Sequence, residues 1–203
     1  MIFPIARAKY KIIKSIYENP NIKISELLRI NKISQKSGYF YINELLNANI
    51  ISQKIEKPLR LLKPEFSNTG KIIFSLVEEE KKLYFFEKHK ELKGPFFQFE
   101  KEISSSISCA LIFGSFSRSS ENKGSDLDIM IIAEKQESKK IERAVENCFI
   151  TLKNKPSIRL VTKDNFIDSL EKEDEFAKQI LKDHIIIINS LGWINLISKS
   201  KTR

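Results

Sequence analysis

Two short stretches of this 203-residue sequence bring together residue types that handle phosphate and metal. The first is Gly114-Ser115, directly after the apolar run Cys109–Phe113. A glycine at the end of a buried strand lets backbone amides approach an anion, and the serine hydroxyl beside it can donate to an oxygen of the same group. The second is Asp126-Leu127-Asp128, which opens another apolar run. Side chains alternate along a strand, so two carboxylates one residue apart point to the same face. Such a pair can hold a hard divalent cation like Mg²⁺. Arg118, in the polar stretch between them, can pair with a phosphate oxygen. A lone Gly-Ser is ordinarily a turn, and a lone Asp-x-Asp a solvated strand end. Together, each flanked by an apolar strand, they make a much more specific signal.

The elements that must position these residues follow from hydrophobic periodicity. A helix from Phe96 to about Ser105 precedes the strand Cys109–Phe113, and a second strand covers Leu127–Ile132. A helix over Gln136–Phe149, a strand over Ile158–Val161 and helices over Asn165–Leu170 and Glu173–Asp183 come next. A strand over His184–Ile188 and a segment Trp193–Ile197 complete the pattern. Alternating strands and helices give this half an α/β or α+β character, and the whole chain is expected to be α+β.

The stretch from Leu111 to Ile132 resembles the polymerase-beta-type nucleotidyltransferases, especially the minimal nucleotidyltransferases. Their motif runs hydrophobic-Phe-Gly-Ser, a polar spacer, then Ser-Asp-x-Asp. Gly114, Ser115, Arg118, Ser125, Asp126 and Asp128 fall on motif positions. The resemblance implies a nucleoside triphosphate, as substrate or ligand, at Gly114, Ser115, Arg118 and Ser125. It implies Mg²⁺ at Asp126 and Asp128, the catalytic pair for in-line nucleotidyl transfer. Active relatives carry a third carboxylate on a later strand, in a hydrophobic-Asp-hydrophobic pattern. The matching segment here is Ile158-Arg159-Leu160, which puts Arg159 in the acidic position. A cation there repels Mg²⁺ and can fill the space of a metal or phosphate. Two readings therefore stand. One is transfer of a nucleoside monophosphate to a protein hydroxyl, such as a tyrosine on a HEPN-like toxin partner, by an antitoxin-type regulator. The other is a catalytically degenerate, DNA-binding transcriptional regulator that keeps the nucleotidyltransferase fold.

The first third of the chain is organised differently. Apolar residues from Ile5 to Tyr17 lie on one helical face, Ser25–Ile30 forms a second helix, and Ser34 caps a third through Leu46. Two β-like runs, Ile50–Ile55 and Leu59–Leu62, form a hairpin. This order resembles a winged helix-turn-helix domain, which implies DNA contacts from Gln35, Lys36, Ser37 and Tyr39 on the third helix and from Lys54, Lys57 and Arg60 on the wing. Charge agrees: residues 1–66 carry 12 Lys/Arg against 5 Glu, whereas residues 94–203 carry 17 basic and 16 acidic residues. A basic excess confined to one module is how a polyanion-binding surface reads. The expected division is residues 1–66, a connecting helix within 67–95 stopped by Gly94-Pro95, and residues 96–203. That long helix can serve as a homodimer contact.

Other classes are set aside. Cys109 and Cys148 form neither metal-ligand spacing nor a disulfide framework and are expected in the core. His89 and His184 are isolated and expected at the surface or a strand end, with no catalytic role. The aromatics Tyr84, Phe85, Phe86, Phe96, Phe97 and Phe99 are expected between domains or subunits. No apolar run suits a signal peptide or membrane span, so a cytoplasmic protein without a membrane partner is expected.

Overall fold

A computed structural model describes residues 6–56, 59–122, 124–150, 152 and 156–200. The chain is mixed α and β and divides into two units, the boundary falling between Val77 and Glu78.

In the first unit, helix α1 (Arg7–Glu18) buries Ile12, Ile13, Ile16 and Tyr17 at helical spacing. Strand β1 (Ile22–Lys23) leads directly into α2 (Ile24–Asn31). Helix α3 (Gln35–Asn47) starts where expected, with the Ser34 hydroxyl accepting from the Ser37 amide at 3.3 Å. Gly38 lets α3 press on α2, because a β-carbon there would lie 2.2 Å from a methyl of Leu28. Strands β2 (Ile51–Glu56) and β3 (Leu59–Pro64) pair antiparallel, and β1 adds to β3, giving the order β1-β3-β2. The two-residue β1 was not expected; it is too short to carry a period of its own.

Helix α4 (Asn68–Lys88) crosses the unit boundary, its first turn capped by the Ser67 hydroxyl accepting from the Gly70 amide at 3.1 Å. It stops earlier than expected. The break is at His89, whose backbone leaves helical geometry, and α5 (Lys90–Ile103) then runs straight through Gly94 and Pro95. Pro95 lies inside α5, where it removes the bond to the Glu91 carbonyl and crowds that carbonyl. Burial of Leu92, Phe96, Phe99 and Ile103 along one face outweighs that cost.

The second unit is built on a four-stranded sheet of order β6-β5-β4-β7. Its strands are β4 (Ile107–Phe113), β5 (Asp128–Ala133), β6 (Ser157–Val161) and β7 (Ile185–Ile188). β5 and β7 flank β4 antiparallel, while β6 runs parallel to β5. The short helix α6 (Gly114–Ser117) follows β4; α7 (Ser138–Cys148) links β5 to β6; α8 (Lys163–Glu171), α9 (Glu175–Lys182) and α10 (Ser190–Ile197) complete the unit. One face of the sheet offers Ala110, Ile112, Ile129 and Ile131 to Phe96, Phe99 and Ile103 of α5 and to Ile141 and Ala144 of α7. Phe85, Phe96 and Phe99 thus belong to this core, and only Tyr84 and Phe97, near 60% exposed, stay outside it. No helix among the described residues is long and apolar enough to cross a membrane.

His89 is buried rather than at the surface, 6% exposed, whereas His184 stands at a strand end as expected and is also buried, 5% exposed. His184 precedes β7 with Nδ1 at 2.7 Å from the Ile180 carbonyl oxygen and Nε2 at 3.1 Å from Glu78 Oε1, in effect a polar rivet between α4 and α9. Cys109 is buried as expected, its thiol pushed up to about 12 by that burial, whereas Cys148 is only half-buried beside Glu102.

Candidate functional site

The antiparallel register of β4 and β5 sets Phe113 opposite Asp128, so the next residue, Gly114, turns directly beside that carboxylate. Gly114 adopts φ +74°, the left-handed region that favours glycine. A β-carbon on it would lie 2.6 Å from Asp128 Oδ2. Glycine is thus needed twice, for its backbone and for the space the carboxylate occupies. The turn is fastened by Ser117, whose hydroxyl donates to the Gly114 carbonyl at 2.9 Å and lies 3.2 Å from the carbonyl oxygen of Asp183.

Asp128 is the first residue of β5, half-buried, and Asp126 precedes the strand and is exposed. Asp126 is therefore not on the strand itself, but the two carboxylates remain coupled. Burial first, and the charge of Asp126 second, push the Asp128 carboxyl above the usual carboxylate range, while a side-chain hydrogen bond with Ser157 opposes the shift. A carboxylate made uncomfortable by burial and a like charge is one that a cation relieves. Among the described residues no three His, Cys, Asp or Glu side chains gather as a metal cluster. Mg²⁺ commonly takes only one or two protein carboxylates, with water and substrate phosphates completing its shell. Asp126 and Asp128 are the carboxylates at this turn that could contribute to such a shell, and the space beside Gly114 is taken by the Asp128 carboxylate itself.

The other residues singled out in the sequence are distributed around this point. Ser115 is half-buried, and its carbonyl accepts from the Ser120 amide at 3.0 Å. Arg118 ends α6 and is exposed. Ser125 staples a turn, its hydroxyl accepting from the Asn122 amide at 2.9 Å. Arg159 lies beside Met130, one pleat further along the Asp128 face, and its guanidinium is stacked 3.9 Å from the centre of the Phe176 ring. Phe176 in turn meets Phe113 edge-on. The lateral neighbour of Asp128 on β6 is Ser157, not Arg159. Neither Ser157 nor Phe176 was expected at the site. Ser157 was findable, because alternation along β6 places it on the face of Arg159; Phe176 comes from a distant helix, and nothing local marks it.

In the first unit, Gln35, Lys36 and Ser37 are exposed in the opening turn of α3, and Tyr39 is 42% exposed. Ser37 takes part in the cap, 3.1 Å from the Ser34 hydroxyl. Arg60 and Tyr39 line one cleft of about 410 Å³ with Lys23 and Ser25, two residues not expected there. Lys54 pairs with Leu61 across the hairpin and Arg60 with Ile55, so Lys54 and Arg60 point to opposite faces. Lys54 is also bound to Glu56 at 2.6 Å. Lys57 lies outside the described residues.

Residues 98–190, all within the second unit, match the family described as Polymerase beta, Nucleotidyltransferase. The match begins in α5 and ends at the first residue of α10, so it contains the Gly114 turn, both aspartates and all four strands of the sheet. No curated protein and no solved structure matches the chain.

Proposed function

We propose that the nucleotidyltransferase domain of residues 98–190 binds a nucleoside triphosphate with Mg²⁺ and transfers its nucleoside monophosphate to a hydroxyl of a protein acceptor. The observation that carries this reading is the pairing of Gly114, left-handed and without a side chain, with the Asp128 carboxylate that fills the vacated space. In this reading Asp126 and Asp128 hold the cation, which neutralises the triphosphate and favours attack at the α-phosphorus. The Ser115 hydroxyl donates to a phosphate oxygen, Arg118 pairs with another, and Ser125 shapes the loop that presents Asp126. The acceptor hydroxyl gives its proton to solvent, its oxygen bonds to the α-phosphorus as the bond to the α,β-bridging oxygen breaks, and pyrophosphate leaves.

The first unit is read as a winged helix that binds DNA. Three helices, the β1-β3-β2 sheet and the basic composition support this. A HEPN-like protein acceptor and a homodimer complete the antitoxin-type regulator, and the solution mass at working concentration tests the dimer.

A second reading is favoured by one observation: a guanidinium, not a third carboxylate, shares the Asp128 face on β6. In that case nucleotide is bound and not turned over, and the chain acts as a DNA-binding regulator. One experiment separates the two. ATP labelled at the α-phosphate is incubated with the chain, Mg²⁺ and candidate partner proteins, while calorimetry follows ATP binding. Label on the partner that disappears with Asp126→Ala and Asp128→Ala supports transfer. Binding without label supports the second reading, and absence of binding defeats both.

A further inference from the structure

The loop between α6 and β5, residues 118–127, carries Arg118, Ser125 and Asp126, and its described residues form no helix or strand. Its internal bonds are short-range. The Ser120 amide returns to the Ser115 carbonyl at 3.0 Å, and the Asn122–Ser125 turn closes on itself. Such bonds shape the middle of the loop without fixing where it lies, whereas its far end is held by the buried Leu127, whose carbonyl accepts from the Ser157 amide at 2.9 Å. Among its described residues, Glu121 makes the side-chain hydrogen bond that reaches a distant element: Lys88 Nζ donates to its Oε1 at 2.6 Å.

The partner is well chosen. Lys88 closes α4, where a cation suits the negative end of the helix. His89, at the corner between α4 and α5, brings Nε2 to 3.7 Å from the same carboxylate oxygen. The His89 ring also packs against Phe85 and, across the gap, against Phe116 of α6. One corner therefore grips both ends of the turn that leads into the loop. The Glu121 side chain is only 16% exposed, while that of Lys88 is 48% exposed. Losing the cation would take from this partly shielded carboxylate the hydrogen-bond donor that it has at Lys88. Consistently, the hydrogen bond from Lys88 holds the Glu121 carboxyl below its ordinary range.

We propose that Glu121 is a positioning residue: its bond to Lys88 at the α4–α5 corner holds the 118–127 loop so that Arg118 and Asp126 face the Gly114 turn. The proposal deepens the nucleotide reading and rests on it for its consequence, but not for the latch itself. A charge-assisted hydrogen bond is strong enough to shift a loop population by tenfold or more, and apparent affinity falls with the competent fraction.

The test uses the full chain with Glu121→Gln, Lys88→Met and Lys88→Arg. Amide exchange without nucleotide is expected to speed up within 118–127 in the first two variants and to leave β4 and β5 unchanged. MgATP binding is expected to weaken about tenfold in those two, and Lys88→Arg, which keeps the cation, is expected to restore both readouts. Wild-type exchange in 118–127 in both Glu121→Gln and Lys88→Met overturns the proposal, as does faster exchange with unchanged MgATP affinity. If the wild-type chain binds no MgATP, the nucleotide reading fails, and the exchange measurement alone still decides whether the latch exists.

Discussion

Replacing Gly114 by alanine tests the geometry at its tightest point. Two costs separate cleanly. Alanine at φ +74° occupies the left-handed region, which costs roughly 1–2 kcal/mol relative to glycine. The new β-carbon would lie 2.6 Å from Asp128 Oδ2, where ordinary contact begins at 3.4 Å, so the carboxylate must retreat by roughly 0.8 Å. Crowding of that kind costs about 1–3 kcal/mol, and Gly114→Ala is therefore expected to lose about 2–5 kcal/mol in all. Only the second cost depends on the carboxylate. In the Asp128→Ala background the crowding vanishes and the backbone cost remains, so a double-mutant cycle should return a coupling of about 1–3 kcal/mol. The chain has a single tryptophan, Trp193, fully buried in the second unit, so its fluorescence in urea reports that unit alone. Additivity of the two substitutions within about 0.5 kcal/mol would refute the claim that Gly114 makes room for Asp128.

The raised Asp128 carboxyl has a pH signature. A carboxyl raised in the folded state gives stability that is full below its unfolded value and lost as pH rises through the folded one. Asp128→Asn should therefore melt higher than wild type near neutrality, the gap closing towards about pH 4, and Mg²⁺ should raise the wild-type melting point more than the variant's. In the first unit, Arg60→Glu should weaken duplex DNA binding and reduce the dependence on log salt by about one unit. Lys54→Glu should do less, because Lys54 faces the other side of the hairpin and is already paired with Glu56. Fluorescence anisotropy at several salt concentrations compares them, and equal losses would contradict this assignment.

Most helices and strands of the second unit were legible because apolar residues recur with clear periods, as in Cys109–Phe113 and in the buried face of α7. The Gly-Ser and Asp-x-Asp elements were legible as types, and the structure places them side by side through the register of β4 and β5. What stayed hidden was set by long-range packing. Pro95 reads locally as a helix stop, but the Phe96 and Phe99 side chains needed the sheet, and the helix continued. His89 reads as an isolated surface histidine until Phe85 and Phe116 close around it. Glu121 and Lys88 are 33 residues apart, and no spacing rule joins them. The same holds for Arg159 and Phe176, whose stacking depends on α9 bringing Phe176 against Phe113 of β4 and Arg159 of β6.

Strand β6 lies at one end of the sheet order, hydrogen-bonded to β5 on one side. Open strand edges invite pairing with other chains, and proteins blunt them by shortness, proline and charge. β6 has all three: five residues, Pro156 at its entrance and Arg159 at its centre. Arg159 thus has a reason to persist that owes nothing to nucleotide chemistry. Placing an acid at that position would keep the edge charged, whereas an apolar substitution would leave Ile158 to Val161 as an uninterrupted sticky ribbon. Solubility, more than turnover, is where such a change should first be felt.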